Sequence, residues 1–316
     1  MKREFLVGYT GFVGSNLATE HRFSSCFNSK NIADAFGGHP DLLVYAGVPA
    51  EMFLANRDPE ADRQLILSAE ENIRRIAPKQ VILISTIAVY PDTHGADEDT
   101  VIEMDKLSPY GVNRYALEVW VEEHCENSLI VRLPALYGIN LKKNFLYDYI
   151  HMIPSMLTEA KLKELSIREP ALLEYYFPQK NGFFRCRKLD ITDATILKGH
   201  FKELEFSALN FTDSRSKYQF YPLERLWGHL EAAMWQGLHK LNITTAPIEI
   251  AELYKYLEGS PFCNELNKPP FDYDLRSKHA HLLGGSDGYL MTKSAVLADI
   301  FAYIQREQKL LFGESL

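Results

Sequence analysis

Val7-Gly8-Tyr9-Thr10-Gly11-Phe12-Val13-Gly14-Ser15 grows out of an apolar run, Phe5-Leu6-Val7, short enough to be one buried strand. Three glycines at intervals of three lead into Phe12, Val13 and Leu17, which fall at helical spacing. Strand, glycine turn and helix, in that order, is the setting a phosphate-binding turn requires. Glycine lets the backbone turn sharply and approach a pyrophosphate with no Cβ in the way. The N–H groups that open the helix then face the anion. The spacing is G-x-x-G-x-x-G rather than the common dinucleotide fingerprint G-x-G-x-x-G. A strand-to-helix turn packed hard on a neighbour would select the same glycines. Gly8, Thr10, Gly11, Phe12, Val13 and Gly14 therefore nominate a dinucleotide phosphate site.

Working outward, Arg22 to Phe27 reads as a short second strand, ending in Asn28-Ser29-Lys30-Asn31. An NAD-binding turn would usually carry an acid there for the ribose hydroxyls. None is present, and a lysine among small hydrogen-bonding neighbours favours the 2′-phosphate of NADP; a plain surface turn has the same composition. Asp41 to Ala46 is apolar on both faces, as a buried parallel strand is, and Gly47 and Val48 follow it. Asp58-Pro59-Glu60 opens a helix with a cap, a proline and an acid in its first turn, running to about Ala77 before Pro78. Gln80 to Ser85 is the next strand, followed by Thr86, and a polar loop over 91–109 leads to a helix from about Tyr110 to Glu126. Leu129 to Pro134 is again a strand.

Strands alternating with helices predict an α/β fold with a doubly wound, Rossmann-like parallel sheet, whose ligand sits at the strands' C-terminal ends. Gly8, Ala46, Gly47, Val48, Ser85, Thr86, Leu133 and Pro134 fall on that edge. Past residue 140 the alternation fades into a mixed, aromatic-rich stretch. A strand at Tyr218 to Tyr221, a helix from Pro222 to about Gly237, a strand at Leu241 to Thr244 and a helix from Pro247 to Leu257 follow, then an irregular segment over 259–290 and a last helix from Thr292 to about Leu311. The organisation expected is a dinucleotide-binding domain at 1–140, rejoined by roughly 217–246. A smaller mixed substrate-binding domain would be built from 141–216 and 247–316.

Composition narrows the partners. At 316 residues, net charge −8 and 24% charged residues, the chain reads as an acidic, soluble, cytoplasmic protein with neither nucleic acid nor a membrane as partner. No apolar run reaches membrane-span length, and Met1-Lys2-Arg3 shows no signal-peptide pattern. Cys26, Cys125, Cys186 and Cys263 form no CxxC pair, and His279 and His281 lack metal-ligand spacing, so reduced thiols and no metal are expected.

Three polar groups carry chemistry on the ligand edge: Thr86, Tyr110 and Arg114. Tyr110 and Arg114 stand four apart near the start of one helix and share a face. A phenol is too weak an acid to exchange protons at neutral pH unaided, and a neighbouring cation corrects that. A hydroxyl at Thr86 would hold the substrate oxygen, completing an apparatus for hydride transfer at an alcohol or ketone carbon. The bland alternative for Tyr110 and Arg114 is a solvated or interfacial helix face.

Several motifs together resemble one family, the extended short-chain dehydrogenase/reductases, also called the NAD-dependent epimerase/dehydratase family. Gly8 to Gly14 resembles its T-G-x-x-G-x-x-G turn, and Ser85-Thr86-Ile87-Ala88-Val89-Tyr90 its S-[ST]-x-x-V-Y segment. Pro109-Tyr110-Gly111 with Glu118 is similar to its P-Y-G-x-S-K-x-x-x-E helix, and Arg132 to Gly138 to its R-x-x-N-V-Y-G strand end. Tyr218 to Leu226 echoes R-D-F-I-Y-V-D-D-L. The resemblance implies NADP or NAD as cofactor, a nucleotide-sugar substrate, a homodimer, and a catalytic trio of Thr86, Tyr110 and Arg114. The family has lysine where Arg114 stands; arginine keeps the charge but cannot relay a proton. That departure also motivates the alternative of a catalytically decayed sensor or scaffold that still binds the cofactor. Dehydratases of the family carry Asp-Glu after the Ser/Thr; Ile87-Ala88 here leaves keto-sugar reduction or C4 epimerisation. The short link between the second and third strands resembles the reductases. Lys142-Lys143-Asn144 and Arg276 are further candidates for a diphosphate, whereas Trp227 and Trp235 read as core.

Overall fold

The computed structural model describes residues 2–179 and 181–312. The chain divides into two units, one of Met1–Asn140, Lys217–Ile248 and Asp272–Val296, the other of Leu141–Ser216, Glu249–Phe271 and Leu297–Leu316. In chain order the elements begin with β1 (Glu4–Val7), α1 (Phe12–Glu20), β2 (Ser25–Phe27), β3 (Leu42–Tyr45), α2 (Met52–Arg57) and α3 (Pro59–Ile76). Next come β4 (Val81–Thr86), α4 (Pro109–His124), β5 (Ser128–Leu133), β6 (Ala135–Tyr137), α5 (Phe145–His151), β7 (Met156–Thr158) and α6 (Glu159–Arg168). They continue with β8 (Tyr176–Pro178), β9 (Phe183–Cys186), α7 (Ile191–Glu203), β10 (Lys217–Tyr218), β11 (Phe220–Pro222), α8 (Leu226–Trp235) and β12 (Lys240–Asn242). The last are β13 (Ile248–Glu249), α9 (Ile250–Glu258) and α10 (Lys293–Phe312).

The first unit is built on a six-stranded sheet in the order β12-β5-β4-β3-β1-β2, parallel at every step. A parallel sheet needs both faces covered, which is why its strands are continuous apolar runs. Leu6, Val44, Ile82 and Val131 point to the side of α1 and α8, and with Leu17, Leu226 and Leu230 they make one core. Phe5, Leu43, Leu83 and Ile130 point the other way, against Ile66 and Ile73 of α3 and Leu117 and Val121 of α4. The chain leaves β1 for β2 on one side and reaches β3 on the other, so the strand order reverses between β1 and β3. A crevice opens at such a reversal, and it lies at the glycine turn.

The doubly wound parallel sheet is the architecture the sequence implied, with differences at particular elements. β2 is confined to Ser25–Phe27 because Phe23 turns into the core, edge-on to Trp227. Pro222 ends β11 rather than opening a helix, and α8 starts at Leu226 after a short turn. Ile250 rather than Pro247 starts α9. Trp235 is 89% exposed. Eight residues along a helix leave it about 80° around the axis from buried Trp227, which the reading of both as core overlooked. Residues 272–296, grouped above with 247–316, belong to the sheet-bearing unit. They are tied there by main-chain bonds, Leu290 N donating to Thr244 O at 2.9 Å, and by Asn242 Nδ2 donating to Arg276 O at 3.0 Å.

In the second unit an antiparallel sheet, β7-β9-β8, packs with α6 and α7 around Leu157, Leu162, Leu172, Leu197 and Phe201. Among the described residues no helix is long and apolar enough to cross a membrane, and no three His, Cys, Asp or Glu side chains gather as a metal would require.

The two kinds of glycine in this fold predict opposite responses. A Cβ on Gly14 would lie 2.2 Å from the Gly8 carbonyl oxygen, so Gly14→Ala should cost about 1–3 kcal/mol in urea denaturation. A Cβ on Gly228 of α8 meets nothing within 4 Å, and Gly228→Ala should add about 0.5–1 kcal/mol by helix propensity.

Candidate active site

The glycine turn is held by its own main chain. Gly8 N donates to Phe27 O at 2.7 Å and Gly11 N to Gly8 O at 2.9 Å. Gly8 sits at φ +93°, and a Cβ there would lie 2.3 Å from Ala46 O, so β1 and β3 touch backbone to backbone at the crevice. Gly11 is the N-cap of α1 and offers no side-chain cap, and the first turn holds no acid. The N–H groups opening α1 are thus left for an outside acceptor, at the positive end of the helix dipole. A pyrophosphate fits this turn. Thr10 and Gly47 are exposed beside it, Phe12, Val13, Ala46 and Val48 half-buried. Leu133 is packed in the core and Pro134 half-buried, so Leu133 presents only backbone to the edge.

Beyond β2, Asn28 Oδ1 accepts from Lys30 N at 2.9 Å and Asn31 Oδ1 from Asn28 N at 2.8 Å, fixing a tight polar turn. Ser29 and Lys30 project from it, exposed, and Lys30 makes no ion pair among the described residues.

Ser108 caps α4 by accepting from Gly111 N, and Pro109 fills the first helical position. A Cβ on Gly111 would lie 2.5 Å from Ala88 O. The start of α4 is thus pressed on the turn that follows Thr86, and only a residue without a side chain permits the approach. Tyr110, immediately before, is 4% exposed, and its amide donates to Asn56 Oδ1 at 2.9 Å. Its hydroxyl has no hydrogen-bond partner among the described residues. Thr86 Oγ1 accepts from Ala88 N at 3.2 Å, which leaves its own proton to donate.

Arg114 lies one turn on, 5% exposed, with its guanidinium 4.3 Å from the Tyr110 ring centroid. The sequence gives it no counter-ion; the structure does. Nη1 and Nη2 each donate at 3.0 Å to a carboxylate oxygen of Asp62 in α3, and Nη2 also donates to Pro49 O at 2.8 Å. The cation that faces Tyr110 therefore shares its charge with a carboxylate.

A second buried pair stands behind the strand ends. Glu118, wholly buried, forks with Arg132 of β5, Nη2 to Oε2 at 2.6 Å, and accepts from the Ser85 hydroxyl. Arg132 Nη1 donates to the Tyr90 hydroxyl at 2.5 Å, which in turn donates to Asp97 O at 2.7 Å and accepts from Asn242 Nδ2 at 2.9 Å. Burial, only partly offset by Arg132, pushes the Tyr90 phenol up to about 12, so it stays neutral in this chain. Glu98 closes the network, accepting from Asn242 N, Ser277 Oγ and Lys278 N at 2.7, 2.7 and 2.9 Å.

Two candidates have other work. Asn144 Oδ1 caps α5 by accepting from Leu146 N and Tyr147 N, while Lys142 and Lys143 are exposed. Arg276 is paired with Asp274 at 2.9 Å and donates to Asp287 O at 2.7 Å, on the wall of a separate 530 Å³ pocket. Asp62, Asn56, Glu98 and Asn242 escaped the sequence reading. Only Asp62 left a trace there, as one more acid in the first turn of a helix.

Residues 21–175 match the family model of the NAD dependent epimerase/dehydratase family. The match takes in Thr86, Tyr110 and Arg114 and begins after the glycine turn. No curated protein matches the chain by sequence. Among solved structures it is similar to a UDP-glucose 4-epimerase of Thermotoga maritima with UDP-glucose, at TM-score 0.64 and 15% identity over 98% of this chain and 99% of that one. It is similar also to a dTDP-4-dehydrorhamnose reductase of Yersinia enterocolitica, TM-score 0.62, 13% identity, 96% and 99% covered. A reductase of the same name from Bacillus anthracis, in complex with NADP, gives TM-score 0.60, 13% identity, 96% and 98% covered. At such identities the likeness establishes the fold.

Glu118→Gln would leave Arg132, 2% exposed, without its counter-charge. The variant should lose about 3–5 kcal/mol in chemical denaturation.

Proposed function

We propose that this chain is an NAD(P)-dependent oxidoreductase acting on a nucleotide-activated sugar, as a keto-sugar reductase or a C4 epimerase. The observation that carries the reading is the setting of Tyr110. A buried phenol with an unpartnered hydroxyl stands where Gly111 presses α4 onto the turn after Thr86, on the sheet edge that also bears the uncapped start of α1. The likeness to a UDP-glucose epimerase and to dTDP-4-dehydrorhamnose reductases supports the substrate class.

In this reading the opening N–H groups of α1, with Gly8, Gly11 and Gly14, hold the cofactor's pyrophosphate, and Ala46, Gly47, Val48, Ser85 and Pro134 line its path. A nicotinamide held there would supply the hydride for reduction of a sugar carbonyl carbon, or receive one from a carbinol carbon. Tyr110 gives the phenolic proton to the carbonyl oxygen on reduction and takes it back on oxidation. Thr86 donates its hydroxyl to the same oxygen and orients it. Ile87 and Ala88 supply no carboxyl pair, so elimination of water is outside this apparatus. Asn28, Ser29 and the unpaired Lys30 fit a ribose 2′-phosphate, favouring NADP. A second reading, a protein that binds the cofactor without turnover, draws on the neutralisation of Arg114 by Asp62.

Purified protein mixed with NADPH and a panel of UDP- and dTDP-linked keto sugars should consume the reduced cofactor with at least one of them. NADPH binding with no turnover across keto and hydroxy sugars would favour the second reading, and binding of neither dinucleotide would end both. Tyr110→Phe should lower turnover by about 10²- to 10⁴-fold while cofactor affinity, read by fluorescence, stays near the wild-type value. Lys30→Ala should weaken NADPH about fivefold and leave NADH unchanged; equal effects on the two would remove Lys30 from the cofactor site.

A further inference from the structure

We infer that Asp62 is a positioning residue for the cofactor: it fixes the guanidinium of Arg114 so that an arginine serves the nicotinamide-side ribose from a position where the family has lysine. This inference rests on the function proposed above and adds a residue to it.

The argument begins with the difference between the two cations. A lysine ammonium is a point charge on a flexible stem and turns its three donors to whatever lies near. A guanidinium is planar, its five donors point in fixed directions, and its use depends on what holds the plane. Here the plane is held from one side. Asp62 takes one donor from each terminal nitrogen at 3.0 Å, and Pro49 O takes the second donor of Nη2 at 2.8 Å. Two donors, the Nε–H and one on Nη1, have no acceptor among the described residues. They lie on opposite edges of the guanidinium plane, so one of them at a time can reach a ribose hydroxyl. The same clamp sets the guanidinium 4.3 Å from the Tyr110 ring centroid.

Asp62 is itself secured. It is 6% exposed, and beyond the two Arg114 bonds its Oδ2 accepts from Asn113 Nδ2 at 2.9 Å. Asn113 Nδ2 also donates to Pro59 O at 3.0 Å, tying the clamp to the first turn of α3. A carboxylate buried at this cost is retained where it organises a cation, and the cation it organises is the one beside Tyr110.

The test uses the whole chain and two ligands, NADPH and 2′,5′-ADP, the latter carrying the phosphorylated adenosine half without the nicotinamide ribose. Asp62→Asn keeps the shape and removes the charge. The inference expects NADPH to bind about tenfold more weakly to the folded variant while 2′,5′-ADP binds within about twofold of wild type. Unchanged NADPH affinity, or equal losses for both ligands, would overturn it, the second outcome meaning a brace alone. Should Asp62→Asn fail to fold, Asp62→Asn with Arg114→Gln, which leaves no uncompensated charge, is compared with Arg114→Gln. If Asp62 acts through Arg114, the double variant binds NADPH as the single one does; a further loss specific to NADPH overturns the inference. Wild-type protein that binds neither dinucleotide is the distinct result that sinks the proposed function, and this inference with it.

Discussion

Glu118 holds a carboxylate with no exposed surface, and the arrangement of the strand ends follows from keeping that charge buried. Burying a carboxylate without a partner is costly. Glu118 is partnered by forking with Arg132, and Arg132 in turn donates to the Tyr90 hydroxyl, which is held by Asn242 and Asp97 O. These residues come from α4, β5, the turn after β4, the end of β12 and the loop before α4. One buried charge therefore fixes the mutual placement of five segments. Ser85, whose hydroxyl also donates to Glu118, ties the residue next to Thr86 into the same network. Hydrophobic packing sets the distance between helices and sheet, but it has no direction. Here the network supplies the direction.

Contacts made possible by missing side chains do comparable work at the surface of the site. Gly8 against Ala46, Gly14 against Gly8 and Gly111 against Ala88 are three places where main chain meets main chain at a distance no Cβ allows. The first two shape the turn at which α1 begins; the third delivers Tyr110. Donors at a helix N-terminus and a phenol near the end of β4 come from sequence positions a hundred residues apart. They share one edge because β1, β3 and β4 are adjacent strands in register, Val7 with Tyr45 and Tyr45 with Leu83.

What could be read from the sequence divides along the same line. Local features were legible: the glycine turn, the Asp58-Pro59 and Ser108-Pro109 helix starts and the apolar strands of a parallel sheet. Each is written in neighbouring residues and a period of two or 3.6. The partners of the buried charges were not. Asp62 and Arg114 are 52 positions apart, Glu98 and Asn242 144 apart, and no periodicity joins them. Glu98 lay in a stretch read simply as a polar loop, and its carboxylate, accepting from Ser277 Oγ, Lys278 N and Asn242 N, helps hold the segment at 272–296 to the sheet-bearing unit. The short α2 carries no side-chain cap, so its start left no signal.

The position of Arg114 shows how a sequence departure changes meaning once its surroundings are known. Read alone, arginine for lysine keeps a charge and loses a proton relay. In the structure it also gains a fixed plane, a neutralising carboxylate and contact with the Tyr110 ring. Neutralisation matters beside the lost relay, since a carboxylate at 3.0 Å from the guanidinium nitrogens opposes the field that the positive charge exerts on the phenol. Orientation is what remains for the pair to contribute. A residue that orients by hydrogen bonds acts on binding before it acts on proton transfer, so under the proposed function the consequence of this substitution would belong first to how the cofactor is held.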